Sequence, residues 1–134
     1  MAVQKIAVRC VEIEDRPGSL HKLLAQLASA GVDLLCFTAF SAGTDHSHAC
    51  LSGKEPAALD SALGQAGIEA DSATGFLVSC DDRVGAGAAA LAGLADAQIN
   101  GRTAVAMVWS GNCQLLIVVD AADADAAEKA LQGI

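Results

Sequence analysis

Tyrosine is absent from this 134-residue chain, and three phenylalanines and one tryptophan are its only large aromatics. So few aromatic rings leave no platform on which successive bases could stack. Cations are scarce too: eight Lys and Arg stand against sixteen Asp and Glu, a net charge of −8. Phosphate backbones are held by clustered cations, and here they are scattered, which excludes nucleic acid as the expected partner. No uncharged run suits a bilayer. The longest, Thr103 to Val119, is broken by the turn-forming Ser110-Gly111-Asn112. The opening MAVQKIAVRC has no apolar stretch leading to a small-residue cleavage pattern. Finally, Cys10, Cys36, Cys50, Cys80 and Cys113 stand singly in apolar stretches with no C-x-x-C spacing. Together these absences predict a cytoplasmic chain with reduced, buried thiols and no membrane partner.

What the chain does have is small apolar residues. It is 53% hydrophobic with thirteen glycines, its core dominated by Ala, Leu and Val, a composition that lets backbone elements approach closely. Its length fits one domain or two very small ones. An internal repeat chooses between them. Shifted by 67 positions without a gap, Asp15-Arg16 falls on Asp82-Arg83, Gly18 on Gly85, Leu27-Ala28 on Leu94-Ala95, Val32 on Ile99 and Asp33 on Asn100. Two copies are expected, residues 1–72 and 73–134.

The first copy predicts a strand over Val3–Ile13. A helix follows, with Leu20, Leu23, Leu24 and Leu27 on one face and His21, Lys22, Gln26 and Ser29 on the other. Gly31 stops it. Strands are predicted over Leu34–Phe40 and His46–Leu51. A helix opened by Pro56 follows, then a short strand over Ile68–Ala70. The second copy predicts strands over Gly75–Cys80, Thr103–Trp109 and Cys113–Val119, and helices over Gly85–Ala97 and Asp123–Leu131. This is an α+β arrangement: two βαββαβ, ferredoxin-like repeats with helices on one face of antiparallel sheets. The second repeat ends without a fourth strand. That predicts an open edge on Gly75–Cys80, covered by a homodimer partner or by residues 68–73.

The stretch VEIEDRPGSL ends a strand in a charged corner, and EDRPGSLHKLLAQLASAGVDLLCF (Glu14–Phe37) resembles the opening of an ACT domain. The likeness lies in its D-R-P-G-x-L corner and in the G-V-D-L that begins the next strand. The second copy keeps Asp82, Arg83 and Gly85, but has Val84 for proline, Gln98 for the helix-stop glycine and Asn100 opposite Asp33. The resemblance implies a non-catalytic regulatory protein, without a cofactor, that binds a small molecule, most often an amino acid. The ligand would lie at the junction of paired domains and inform a metabolic enzyme. The residues agree with it. Pro17 fixes φ and Gly18 clears the approach to the first free N–H groups of the helix, which suit a carboxylate. Asp15 or Asp33 suits an ammonium. The expected contacts are Asp15, Arg16, Pro17, Gly18, Ser19, Asp33 and Leu34 in the first copy, with Asp82, Val84, Gly85 and Asn100 in the second.

Other constellations compete. Gly85-Ala86-Gly87-Ala88-Ala89-Ala90 has the form of a dinucleotide fingerprint, but no acid stands about 20 residues on for the ribose, and too few elements follow. His46, His48 and Cys50 share one strand face and have the chemistry of a metal site, yet three neighbours on one strand splay apart. No His or carboxylate is placed to activate a cysteine, so no reaction is suggested. A protein-interaction module without ligand is the alternative to the sensor.

Overall fold

The computed structural model describes residues 2–43 and 45–132. In chain order the elements are β1 (Ala2–Glu14), α1 (Ser19–Ser29), β2 (Leu34–Ser41), β3 (His46–Gly53), α2 (Pro56–Gln65), β4 (Asp71–Asp81), α3 (Ala86–Asp96), β5 (Thr103–Trp109), β6 (Asn112–Asp120) and α4 (Ala124–Gln132). A single 3-10 turn, Ala121–Asp123, leads into α4. The order is βαββα twice over, in the 67-residue register that the repeat predicts, without the fourth strand expected to close the first copy. Among the described residues no strand follows α4.

Two compact units form. One comprises Ala7–Ser72; the other joins the residues up to Ile6 with those from Ala73 on. The leading residues, which the repeat register assigns to the first copy, therefore lie with the second. Val3 packs against that unit's core, and Lys5 Nζ reaches Asp125 Oδ1 at 3.5 Å and Glu128 Oε1 at 3.6 Å on α4. In that unit β1 lies beside β4, so the edge of β4 is paired. Residues 68–70, expected to form a strand, have no regular structure, and β4 begins at Asp71.

In the unit Ala7–Ser72 the sheet runs β2-β3-β1, with β3 antiparallel to both neighbours. Val11, Ala49 and Leu51 meet Leu23, Leu27, Leu59 and Leu63 from the helices. The leucines of α1 recur every three to four positions, which is why one stripe is buried. Arg9 grips Asp60 of α2 through Nε (2.7 Å) and Nη2 (3.2 Å), fastening that helix to β1. The other unit orders its strands β1-β4-β6-β5. Phe76, Val78, Leu115, Ile117 and Val119 face Ala90, Leu94, Ala127 and Leu131. Alternation along β4 and β6 puts these residues on one side.

The three helices α1, α2 and α3 end alike. Val32, Ile68 and Ile99 donate N–H to the carbonyls of Leu27, Leu63 and Leu94, while Gly31, Gly67 and Gln98 donate to Ala28, Gly64 and Ala95. This pattern needs a left-handed residue just beyond the helix. Gly31 and Gly67 adopt φ of 78° and 70°, and Gln98 is forced to 58° without being glycine.

Candidate functional site

The two strand-to-helix corners are built the same way. Gly18 and Gly85 precede α1 and α3 with φ of 90° and 86°. The N–H of the next residue, Ser19 or Ala86, donates to the carbonyl of Arg16 or Arg83. Further on, Lys22 and Ala89 donate to the Gly18 and Gly85 carbonyls at 2.9 Å. The glycines serve conformation, since a Cβ at either position would meet nothing within 4 Å. Close approach was the expected reason for Gly18; left-handed backbone is the observed one.

Asp15 has a structural task. Its carboxylate accepts hydrogen bonds from Ser41 Oγ at 2.6 Å and Ser47 Oγ at 3.0 Å, and its N–H donates to the Asp45 carbonyl. The serine at the end of β2 and the one in β3 are thereby tied to the end of β1. The hydrogen bonds, Ser41 first, hold its pKa below the ordinary value. Arg16 Nε pairs with Glu14 Oε2 at 2.8 Å, with both side chains exposed. Pro17 is exposed, and Ser19 is half-buried at the first position of α1.

Asp33 lies elsewhere. It stands beyond the far end of the 11-residue α1, roughly 16 Å of helix from the corner. There it accepts Lys54 Nζ at 3.0 Å, and its carbonyl accepts the Lys54 N–H at 2.9 Å. One corner therefore does not gather Asp15 and Asp33. Leu34 is half-buried against the core. In the other unit Asp82 and Asn100 are likewise set at opposite ends of the 11-residue α3, both exposed, and Val84 is wholly exposed.

The corner instead opens onto a groove of about 380 Å³. Glu12, Glu14, Arg16, Ser19, Lys22 and Gln26 supply its polar wall, with Ile13, Leu23, Ala66 and Ile68 as its apolar floor. The second unit has a groove of about 520 Å³ walled by Ser79, Cys80, Asp81, Arg83, Asn112 and Ala2. Shifted by 67, Glu12, Ile13, Glu14 and Arg16 become Ser79, Cys80, Asp81 and Arg83, so the two grooves share the end of the strand, while the second is completed by Ala2 and Asn112 where the first is completed by α1. Each groove presents one arginine, set beside Glu12 and Glu14 in the first and Asp81 in the second. Sequence reasoning named Arg16 and Ser19 but missed Glu12, Glu14, Lys22 and Gln26. The signal was there. Glu12 and Glu14 alternate on one strand, and Lys22 and Gln26 stand i, i+4 on the polar helix face.

The metal alternative gains no cluster: among the described residues no three His, Cys, Asp or Glu side chains are gathered to hold an ion. His48 lies against the Phe40 ring, with centroids 5.7 Å apart, and faces Glu12 at 4.0 Å. Cys50 meets Cys10. No described helix is long and apolar enough to cross a membrane.

With a repeated βαββα order and duplicated glycine corners established, comparison decides the family. The profile of the ACT domain pair matches residues 1–132.

This chain is an ACT domain pair.

Solved structures share the fold at low identity. A protein from Bacteroides thetaiotaomicron superposes with a TM-score of 0.78 at 15% identity, over 98% of this chain and 89% of that one. The regulatory subunits of aspartate kinase from Thermus thermophilus and Thermus flavus give 0.64 and 0.65, at 18% and 20% identity. Each alignment covers 98% of this ACT pair and 94% of the other chain. No curated protein matches the chain significantly.

Proposed function

We propose that this ACT domain pair is a non-catalytic regulatory module that binds a free amino acid and informs a metabolic enzyme. The observation that carries the reading is the groove beside α1. It sets the cations of Arg16 and Lys22, and the start of a helix, against the carboxylates of Glu12 and Glu14. A zwitterion needs both signs within its own length. Its α-carboxylate suits Arg16 and the helix amides, and its α-ammonium suits Glu12 or Glu14. The likeness of the fold to regulatory subunits of aspartate kinase supports an amino-acid effector and an enzyme as the regulated partner.

Calorimetry against the twenty amino acids, on protein freed of co-purified ligand, tests this reading. At least one is expected to bind, and Arg16→Ala to weaken it about tenfold or more, as loss of a charge-assisted hydrogen bond implies. Uniformly flat titrations would remove the sensor reading.

A second reading, a protein-interaction module, draws on β5. This edge strand carries no charge on a chain of net −8, and it exposes Val105, Met107, Val108 and Trp109. An exposed apolar edge favours pairing, and a homodimer is its simplest form.

A further inference from the structure

Four of the five cysteines stand in directly opposed pairs on antiparallel strands. Cys10 of β1 faces Cys50 of β3, and Cys80 of β4 faces Cys113 of β6. The repeat did not copy one pair into the other, because the equivalents of Cys10 and Cys50 are Leu77 and Ile117. In the first pair the sulfurs are 2.9 Å apart, inside ordinary non-bonded contact. Opposed residues of antiparallel strands have Cα atoms about 4.5–5.5 Å apart, within the range of roughly 4.4–6.8 Å that a disulfide spans. Little backbone movement separates these thiols from a bond.

The surroundings give the pair an entrance. Cys10 forms part of the wall of a groove of about 650 Å³, with Gly67, Ile68 and Ala70 opposite, so a small oxidant can reach it although it is only 8% exposed. Thr38, opposite Cys50 on the other flank of β3, keeps its Oγ1 buried without a hydrogen-bond partner. Cys36 is the nearby competitor, but burial, and then Cys50 itself, push its thiol up, which keeps it protonated and a poor nucleophile.

The geometry points to Cys10–Cys50 as a reversible dithiol–disulfide site, oxidised by a small peroxide. The Cys10 thiolate attacks the O–O bond of hydrogen peroxide, becoming a sulfenic acid and releasing the first water after protonation. The Cys50 thiolate then attacks the Cys10 sulfur, expelling hydroxide, which leaves as the second water. Two thiols lose two hydrogens and two electrons, and one peroxide is reduced to two waters. An external dithiol reverses the change. The bond would pin β1 to β3 in mid-strand and draw the Cys10 sulfur off the groove wall.

The test uses the intact chain, reduced and then freed of reductant. It is exposed to equimolar hydrogen peroxide, denatured in N-ethylmaleimide and mapped by mass spectrometry. Cys10 and Cys50 are expected to lose alkylation in step and to appear as one cross-linked peptide lighter by two hydrogens. Dithiothreitol should restore both, and Cys36 should stay alkylated. In Cys50→Ser, Cys10 should accumulate a dimedone-trapped sulfenic acid instead. Should that variant not fold, the wild-type map alone decides. Full alkylation of Cys10 and Cys50 after peroxide, or a Cys36–Cys50 cross-link in their place, would overturn the assignment.

Discussion

Gln98 shows how one residue can be at odds with its place. It occupies the left-handed position that Gly31 and Gly67 fill after the other two helices, at φ 58°. A side-chain-bearing residue there costs roughly 1–2 kcal/mol, partly offset in glycine by the greater freedom of its unfolded chain. Gln98→Gly is therefore expected to stabilise the protein by about 0.5–1 kcal/mol, read as a higher urea midpoint at unchanged slope. The converse holds at the corner. Gly18→Ala meets no neighbour but must adopt φ 90°, and should destabilise by about 1 kcal/mol or more. Asp15 makes a different prediction. Its folded pKa lies below the ordinary 3.8 because Ser41 and Ser47 donate to the carboxylate. The stability so contributed is present above the unfolded pKa and is lost as pH falls through the lower folded value. Urea midpoints of wild type and Asp15→Asn should stand apart at neutral pH and converge below about pH 4. A separation that stays constant down to the acid limit would contradict the serine tie.

At the scale of elements, small residues decide how helices meet. The pairing of α3 with α4 turns on Gly93, where a Cβ would come within 2.6 Å of the Ala130 carbonyl oxygen. A backbone atom cannot swing aside as a side chain can. Gly93→Ala should cost about 1–3 kcal/mol, while Gly87→Ala on the same helix, where a Cβ meets nothing, should be neutral or stabilising. Comparing the two by thermal or urea unfolding separates packing from helix propensity. The richness in Gly and Ala foretold such close approaches, but composition cannot say which glycine makes one. The turn between β5 and β6 shows the same limit. Ser110-Gly111 takes φ of 52° and 79°, the two left-handed residues of a tight hairpin, where the sequence shows only turn chemistry.

On the scale of the whole molecule, the chain's first residues complete its second unit. Val3 lies on that core, Lys5 meets α4, and β1 stands beside β4. Deleting residues 2–6 should strip the pairing from one edge of β4 and unfold or aggregate that unit, followed by hydrogen exchange across residues 73–132. A shortened chain with unchanged protection there would refute the role. A homodimer through β5 predicts that light scattering gives twice the chain mass, falling to one on Trp109→Lys. Trp109 is 79% exposed, so the substitution spares the core.

Much of this protein was determined by local pattern. Leucines spaced three and four apart in α1, alternating Val and Ile in the strands, Pro56 at the start of α2 and glycines after the helices place ten elements within a few residues of where they form. The 67-residue register then implies two like units, and the D-R-P-G corner marks the end of the groove where Arg16 and Ser19 stand. Tertiary structure alone decided the partners. Asp15 turned to Ser41 and Ser47, 26 and 32 residues away, and Asp33 to Lys54 at the other end of α1. The open edge of β4 went to β1, and Cys10 met Cys50. The physical reason is the same in each case. Periodicity and turn chemistry are set by neighbours a few residues apart, whereas a strand's neighbour and a carboxylate's donor are chosen by packing among segments far apart in the chain.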